Sequence, residues 1–188
     1  YFGEQRFGID GNNIEKALAL FAGTKVKDKK KRSIYLSAAR SLVFNHIVSE
    51  RIREQHFIEP LNGDVFMLAG TQSVFLADKI DAQIIERLAQ KDIDITAPMW
   101  GAGNLMTQGQ SLLFEQTLAQ SYPEICQGLK RFGLKQERRR IRLNISEAEI
   151  SAEDNNVKLA FFLPAGCYAT TVMRELIDYQ DMTERVKL

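Results

Sequence analysis

The sequence predicts a mixed α/β fold of the α+β kind, and three observations carry that expectation. Segments with apolar residues at three- and four-residue spacing alternate with short runs rich in Val, Phe and Ile. Gly, Pro and Asn clusters such as GIDG (8–11), PLNGD (60–64) and PMWGAG (98–103) separate them. The two ends, residues 1–24 and roughly 145–188, lack a complete core of their own, whereas the block between them could fold alone. That third observation suggests one domain inserted into another.

Taken in order, residues 1–11 read as irregular structure closing in the GIDG turn. Asn12 or Asn13 can cap a short helix, IEKALALFAG, ending at Gly23. The basic stretch 25–32 reads as a connector. A long helix then begins near Ser33, with Leu36, Ala39, Val43, Ile47 and Ile52 on its core side. Pro60 and the NGD turn end that region. VFMLA (65–69) and SVFLA (73–77) suit two strands of a hairpin. IDAQIIERLAQKD (80–92) is helical, with Asp81 as its cap, and DITAPMWGAGN (94–104) reads as a loop from its Pro and Gly content. QGQSLLFEQTLAQ (108–120) is helical again, and Pro123 can start the next helix. RRIRLNI (139–145) alternates as a strand does. An acidic turn, SEAEISAEDNN (146–156), leads to VKLAFFL (157–163), which has the pattern of a buried strand. LPAG breaks it, and CYATTVMRELI (167–177) reads as a helix, with Tyr168, Val172, Leu176 and Tyr179 at helical spacing.

Composition narrows the function classes. At 45% hydrophobic and 26% charged, the 188 residues resemble an ordinary soluble globular protein. Nothing approaches the ~18 uninterrupted apolar residues of a membrane span, and no secretory signal is visible. Cys126 and Cys167 form no CxxC pair, so reduced, structural thiols are expected. His46 and His56 form no HExxH and have no cysteine at ligand spacing, so no metal site is expected. There is no GxSxG and no phosphate-binding GxxxxGK[ST] loop.

Charge is more informative. The net charge of +1 hides two basic runs. KVKDKKKR (25–32) and RFGLKQERRRIR (131–142) each hold six basic residues against a single acid, Asp28 and Glu137 respectively. Separated basic runs on a near-neutral chain suit a polyanion-binding face. They equally suit solvated loop and helix faces.

The first eight residues, YFGEQRFG, decide between these readings. They resemble the N-Y-F-G-x-Q-R-F-G motif of the TruD family of tRNA pseudouridine synthases. LPAGCYATTVMRELI (163–177) resembles that family's late motif, L-P-x-G-S/C-Y/F-A-T-x-x-x-R-E-L, and SAARSLVFN (37–45) fits between them. The resemblance implies a catalytic domain interrupted by an inserted TRUD domain. It places catalytic-domain segments at 1–26 and 143–188 and the insertion at 27–142. It also implies a reaction: isomerisation of a uridine to pseudouridine in tRNA, in bacterial members uridine 13 of tRNA-Glu. No cofactor or metal is needed. The family's nucleophilic Asp lies in an upstream G-x-K-D-x-x-A-x-T-x-Q segment that does not occur in these 188 residues. The chain is therefore expected to be a fragment of a longer protein, inactive alone and completed by the upstream segment of the same domain. A cytoplasmic monomer is expected. The competing expectation is a non-catalytic RNA-binding module that retains the motifs.

The implied chemistry assigns roles. The target base must leave its stack, and a flat partner contributes roughly 1–3 kcal/mol per stacked base. Phe2 matches the family's position for that platform, with a core ring as the alternative. Tyr1 and Gly3 flank it, and Gln5 and Arg6 can reach base edges or phosphates, though Arg6 could equally make a structural ion pair. Gly166 allows close approach of backbone. Arg174 is the candidate cation for the missing Asp, with a surface Arg–Glu pair as the alternative. The candidate phosphate contacts are Lys29, Lys30, Arg32, Arg138, Arg139 and Arg140, with Arg40 on the long helix as a further one.

Overall fold

The structure is a computed structural model that describes residues 1–164 and 166–178. Tyr179, expected on the last helical face, lies outside the described residues, as does Ala165 of the LPAG break. The chain forms two compact units, one of Tyr1 and Gly3–Leu143, the other of Phe2 and Asn144–Leu188.

The first unit is built around one long helix. Helix α1 (Asn12–Phe21) is followed by α2 (Lys29–Arg53), strands β1 (Val65–Leu68) and β2 (Val74–Leu76), and α3 (Ala82–Ala89). Strand β3 (Ile93–Met99), α4 (Gly109–Ala119), α5 (Pro123–Arg131) and β4 (Glu137–Arg140) complete it. The sheet order is β2-β1-β3-β4, antiparallel throughout. Helices α1, α4 and α5 and strand β3 all pack on α2.

Helix α2 begins four residues before the expected Ser33. Asp28 adopts an extended conformation and its carboxylate accepts from the amides of Lys30 and Lys31, at 2.8 and 3.2 Å. Half of the expected connector is therefore the first turn of a capped helix. The buried stripe also differs at its far end. Ala39, Val43, Ile47 and Arg51 follow one another at four-residue intervals and are buried, whereas Ile52 is 44% exposed. The helical period brings position 51 inward, and a partner makes that burial tolerable. Arg51 pairs with Asp64, whose carboxylate also accepts from Ser111 Oγ at 2.5 Å and from the Leu61 amide at 2.8 Å.

The stretch expected as a loop, 94–104, contains most of the central strand β3. Its residues 93–95 pair with β1 and residues 96–99 with β4. Pro98 falls where only β4 is a pairing neighbour, so its missing N–H costs no ladder bond on the other side. Helix α1 starts without an Asn cap; its N-cap is Gly11 in the left-handed region, and Asn13 Nδ2 instead donates to the Arg6 carbonyl at 3.2 Å. Asp81 caps α3 by accepting from the Ile84 amide at 2.9 Å, and Pro123 opens α5, both as expected. Strand β4 ends at Arg140, earlier than the alternation at 139–145 suggests.

The second unit holds strands β5 (Ser146–Glu153) and β6 (Asn156–Phe162) and helix α6 (Ala169–Leu176). The expected acidic turn is thus a strand. Glu153 pairs with Asn156, which leaves Asp154 and Asn155 as a two-residue loop, with Asp154 at φ 53°. Asp and Asn tolerate that conformation, which suits a hairpin turn. Glu147, at φ 51°, sits in an irregularity between Ser146 and Glu149. Strand β6 is not buried as its pattern suggests: Val157 and Phe162 are 65% and 67% exposed.

Candidate nucleic-acid interface

The N-terminal motif folds as a short 3-10 turn, Glu4–Arg6, in which the Arg6 amide donates to the Gly3 carbonyl at 3.0 Å. Tyr1 and Gln5 are exposed and Gly3 is buried. Arg6 Nη1 donates to Ser37 Oγ at 2.7 Å, so this side chain ties the motif to α2. Phe2 is 5% exposed and belongs by its packing to the second unit. Such burial is compatible with the core-ring alternative raised by the sequence and does not by itself choose between the two. Gly166 adopts φ 81°, a conformation that favours glycine. Arg174 is exposed in the last turn of α6.

The seven expected phosphate contacts divide sharply. Arg138 is a correction: its guanidinium is buried and satisfied. It forms a bidentate pair with Glu115, both distances 2.9 Å, and donates to the hydroxyl and carbonyl of Thr96 at 2.9 and 2.7 Å. Thr107 Oγ1 donates to the same Glu115 carboxylate at 3.0 Å. A buried guanidinium engaged in this way holds β4 to α4 and is not presented to a phosphate. Arg40 is a second correction. Its nitrogens donate to the carbonyls of Trp100, Met99 and Lys135 and to Glu137, at 3.0, 2.8, 2.5 and 2.9 Å. It is a tether between α2 and the ends of β3 and β4. Arg140 is engaged with buried Asp94 at 3.7 Å and with the Thr71 carbonyl at 3.1 Å. Arg139 is half-buried and has interactions of its own.

Lys29, Lys30 and Arg32 differ from these. They occupy the first turn of α2; the two lysines are exposed and Arg32 is half-buried. Among the described residues they have no ion-pair partner. Lys29 and Arg32 lie three residues apart, hence on one face. That face lines an open groove of about 530 Å³, together with Arg40 farther along α2. The other side carries Met99, at the end of β3, and Phe132 and Leu134, just after α5. No carboxylate lines the groove among the described residues. Such an arrangement can receive an anionic group at the α2 end and an apolar, flat one beside it.

Sequence reasoning misses Phe132, which lies inside the second basic run, where charge alone draws attention. A signal is present: Gly133 follows it, and a Gly just past a helix marks where the chain turns and what it presents there.

Among the described residues, no group of three or more His, Cys, Asp and Glu could hold a metal ion. No described helix is long and apolar enough to cross a membrane.

Comparison with known proteins gives consistent findings. The sequence profile of the family described as tRNA pseudouridine synthase D (TruD) matches residues 10–176. The chain is 61% identical over 196 residues to the tRNA pseudouridine synthase D of Colwellia psychrerythraea, covering 99% of this chain and 53% of that protein. It is 46% identical over 181 residues to the protein of the same name from Aeromonas hydrophila, covering 96% of this chain and 51% of that one. The chain thus spans about half the length of the curated relatives it matches. Among solved structures, the putative tRNA pseudouridine synthase D of Methanosarcina mazei has a similar fold. Its TM-score is 0.62 at 18% identity, over 93% of this chain and 60% of that one.

Proposed function

The chain belongs to the TruD family of tRNA pseudouridine synthases, and from that premise we propose that it is part of an enzyme that isomerises a uridine of tRNA to pseudouridine. Uridine 13 of tRNA-Glu is the proposed target. The observation that carries the reading is the 61% identity across 99% of the chain to a tRNA pseudouridine synthase D. In this proposal the nucleophilic Asp comes from an upstream segment of the same catalytic domain. Segments 1–26 and 143–188 complete that domain, and 27–142 is the insertion that grips the tRNA. The whole is a cytoplasmic monomer that uses no cofactor.

The physical roles follow from the chemistry. A uracil detached from its sugar must be held flat and kept from solvent until the new carbon–carbon bond forms. Phe2 is assigned to stack on it, with Tyr1, Gly3, Gln5, Arg6 and Gly166 shaping the surroundings. Arg174 is assigned to hold the nucleophile's negative charge. Phosphates are assigned to Lys29, Lys30 and Arg32, with Arg139 and Arg140 as further candidates. Arg138 and Arg40 hold the scaffold instead.

The test is to map pseudouridine in a tRNA-Glu transcript, by carbodiimide adduct and primer extension, after incubation with this chain and with the upstream-extended protein. A stop at the D-arm uridine with the extended protein alone supports the split active site. A stop with the 188-residue chain alone means that the nucleophile lies within it. No stop with either favours the non-catalytic RNA-binding module.

The burial of Phe2 makes its substitution decisive. In the extended enzyme, Phe2→Leu keeps an apolar side chain of similar size and removes the flat face. The assignment predicts a sharp fall in turnover with tRNA affinity and thermal midpoint nearly unchanged. A lowered midpoint with turnover preserved in the folded fraction would return Phe2 to the core.

A further inference from the structure

We propose that the groove beside α2 is a base-stacking site, in which an unpaired RNA base lies on Phe132 while Lys29 and Arg32 hold the flanking phosphates. The inference rests on the RNA-modifying reading above and adds to it a residue and a mode of binding.

Phe132 is 38% exposed, whereas Phe21, Phe44 and Phe66 of the same unit are buried and Phe7, Phe57, Phe75 and Phe114 half-buried. Its position is fixed. It ends α5, where the Gly133 amide donates to the Lys130 carbonyl at 3.0 Å and the Leu134 amide to the Leu129 carbonyl at 3.2 Å. This pair of bonds, with Gly133 at φ 77°, is the paired-bond helix stop that glycine favours. Phe21 supports the ring, with centroids 5.8 Å apart and planes inclined by 55°. Arg131 Nη2 donates to the Phe21 carbonyl at 2.8 Å and locks the two segments together. An exposed ring that is rigidly held loses little entropy when a base covers it.

The remainder of the groove fits the rest of a nucleotide. Its volume of about 530 Å³ lies within the range of roughly 300–1,000 Å³ that takes small organic ligands. Met99 and Leu134 give it apolar contact surface. Lys29 and Arg32 stand in the first turn of a 25-residue helix, which the Asp28 cap holds in place. A stacking ring beside unpaired cations is the combination used to bind single strands without reading sequence. Duplex RNA does not satisfy it, because paired bases hide their faces.

The experiment uses the 188-residue chain, a fluorescein-labelled tRNA-Glu transcript and a short single-stranded oligoribonucleotide carrying 2-aminopurine. Phe132→Leu retains apolar packing on Phe21 but has no flat face. It should weaken oligonucleotide binding by about tenfold, the scale of one stacked base, and abolish quenching of the 2-aminopurine, with the unfolding midpoint unchanged. Phe132→Tyr should restore both. Replacing Lys29 and Arg32 by Ala should flatten the salt dependence of binding, by about 0.7 in logarithmic slope for each phosphate no longer neutralised. If the wild-type chain binds tRNA and Phe132→Leu binds and quenches equally well, the stacking site is wrong and the RNA-binding reading stands. If Phe132→Leu lowers the midpoint and Phe132→Tyr does not restore quenching, the ring only covers Phe21. If the wild-type chain binds neither RNA even at low salt, both readings fall.

Discussion

Arg138, Arg139 and Arg140 are adjacent in the chain and meet different fates. Arg138 is paired to buried Glu115, Arg140 reaches buried Asp94, and Arg139 is half-buried with other interactions. Counting charges along the run cannot separate them, because Glu115 and Asp94 lie 23 and 46 positions away and pair only in the fold. Removing one partner of a buried pair leaves an uncompensated charge in a poorly solvated place. Arg138→Met should therefore cost about 3–5 kcal/mol in urea unfolding. Lys30→Ala, at an exposed position, should stay within about 0.5 kcal/mol. Cys126 offers a pH-dependent check. Burial pushes its thiol from 9.0 up to about 11, with Lys130 opposing the shift. The folded chain keeps this proton at pH values where the unfolded chain gives it up. Its contribution is thus intact below about pH 9 and is lost as pH rises toward 11. Measured unfolding free energy should decline across that window, and Cys126→Ala should flatten the decline. Cys126 should also alkylate more slowly in the native chain than in urea.

Among the elements, α2 shows how much one residue can contribute. Asp28 is the single acid of the first basic run, and its carboxylate accepts two amides at the helix start. Asp28→Ala should destabilise the unit by about 1 kcal/mol, read as a lowered thermal midpoint. The first turn of α2, and with it Lys29 and Arg32, should become less ordered. The cap is legible in the sequence as an Asp before a helix-forming run, but the density of lysines around it suggests a solvated connector. Strand β3 is hidden for a related reason. Its Pro98 and the Gly residues after it are local breaker signals, and a sheet accepts Pro wherever a neighbouring strand has already ended. Strand pairing is non-local, so that exception cannot be read from the stretch itself. Hairpin β5–β6 is half legible. Its second strand is expected from the sequence and its first is masked by glutamates, which a strand tolerates when both of its faces are exposed.

At the scale of the whole molecule, the two units differ in what holds them. The first has a continuous core from Ala17 to Ile141. In the second, no described residue from 144 to 178 is buried, and Ile150, Val157 and Phe162 are 74%, 65% and 67% exposed. A two-stranded hairpin with so little buried surface is marginal alone. A peptide of residues 144–188 should show no cooperative thermal transition by circular dichroism, whereas residues 1–143 should unfold cooperatively. A sharp transition in the peptide would mean that it carries a core of its own. The sequence alone determined the mixed α/β class, most helices, the first hairpin and, through the motifs at its two ends, the family. All of these are written in local spacing or in contiguous residues. Only the tertiary structure decided which arginines are scaffold, that Pro98 lies in a strand, and that Phe132 stands beside Lys29 and Arg32. Each of those facts depends on groups far apart in the chain, whose pairing is fixed by packing and burial.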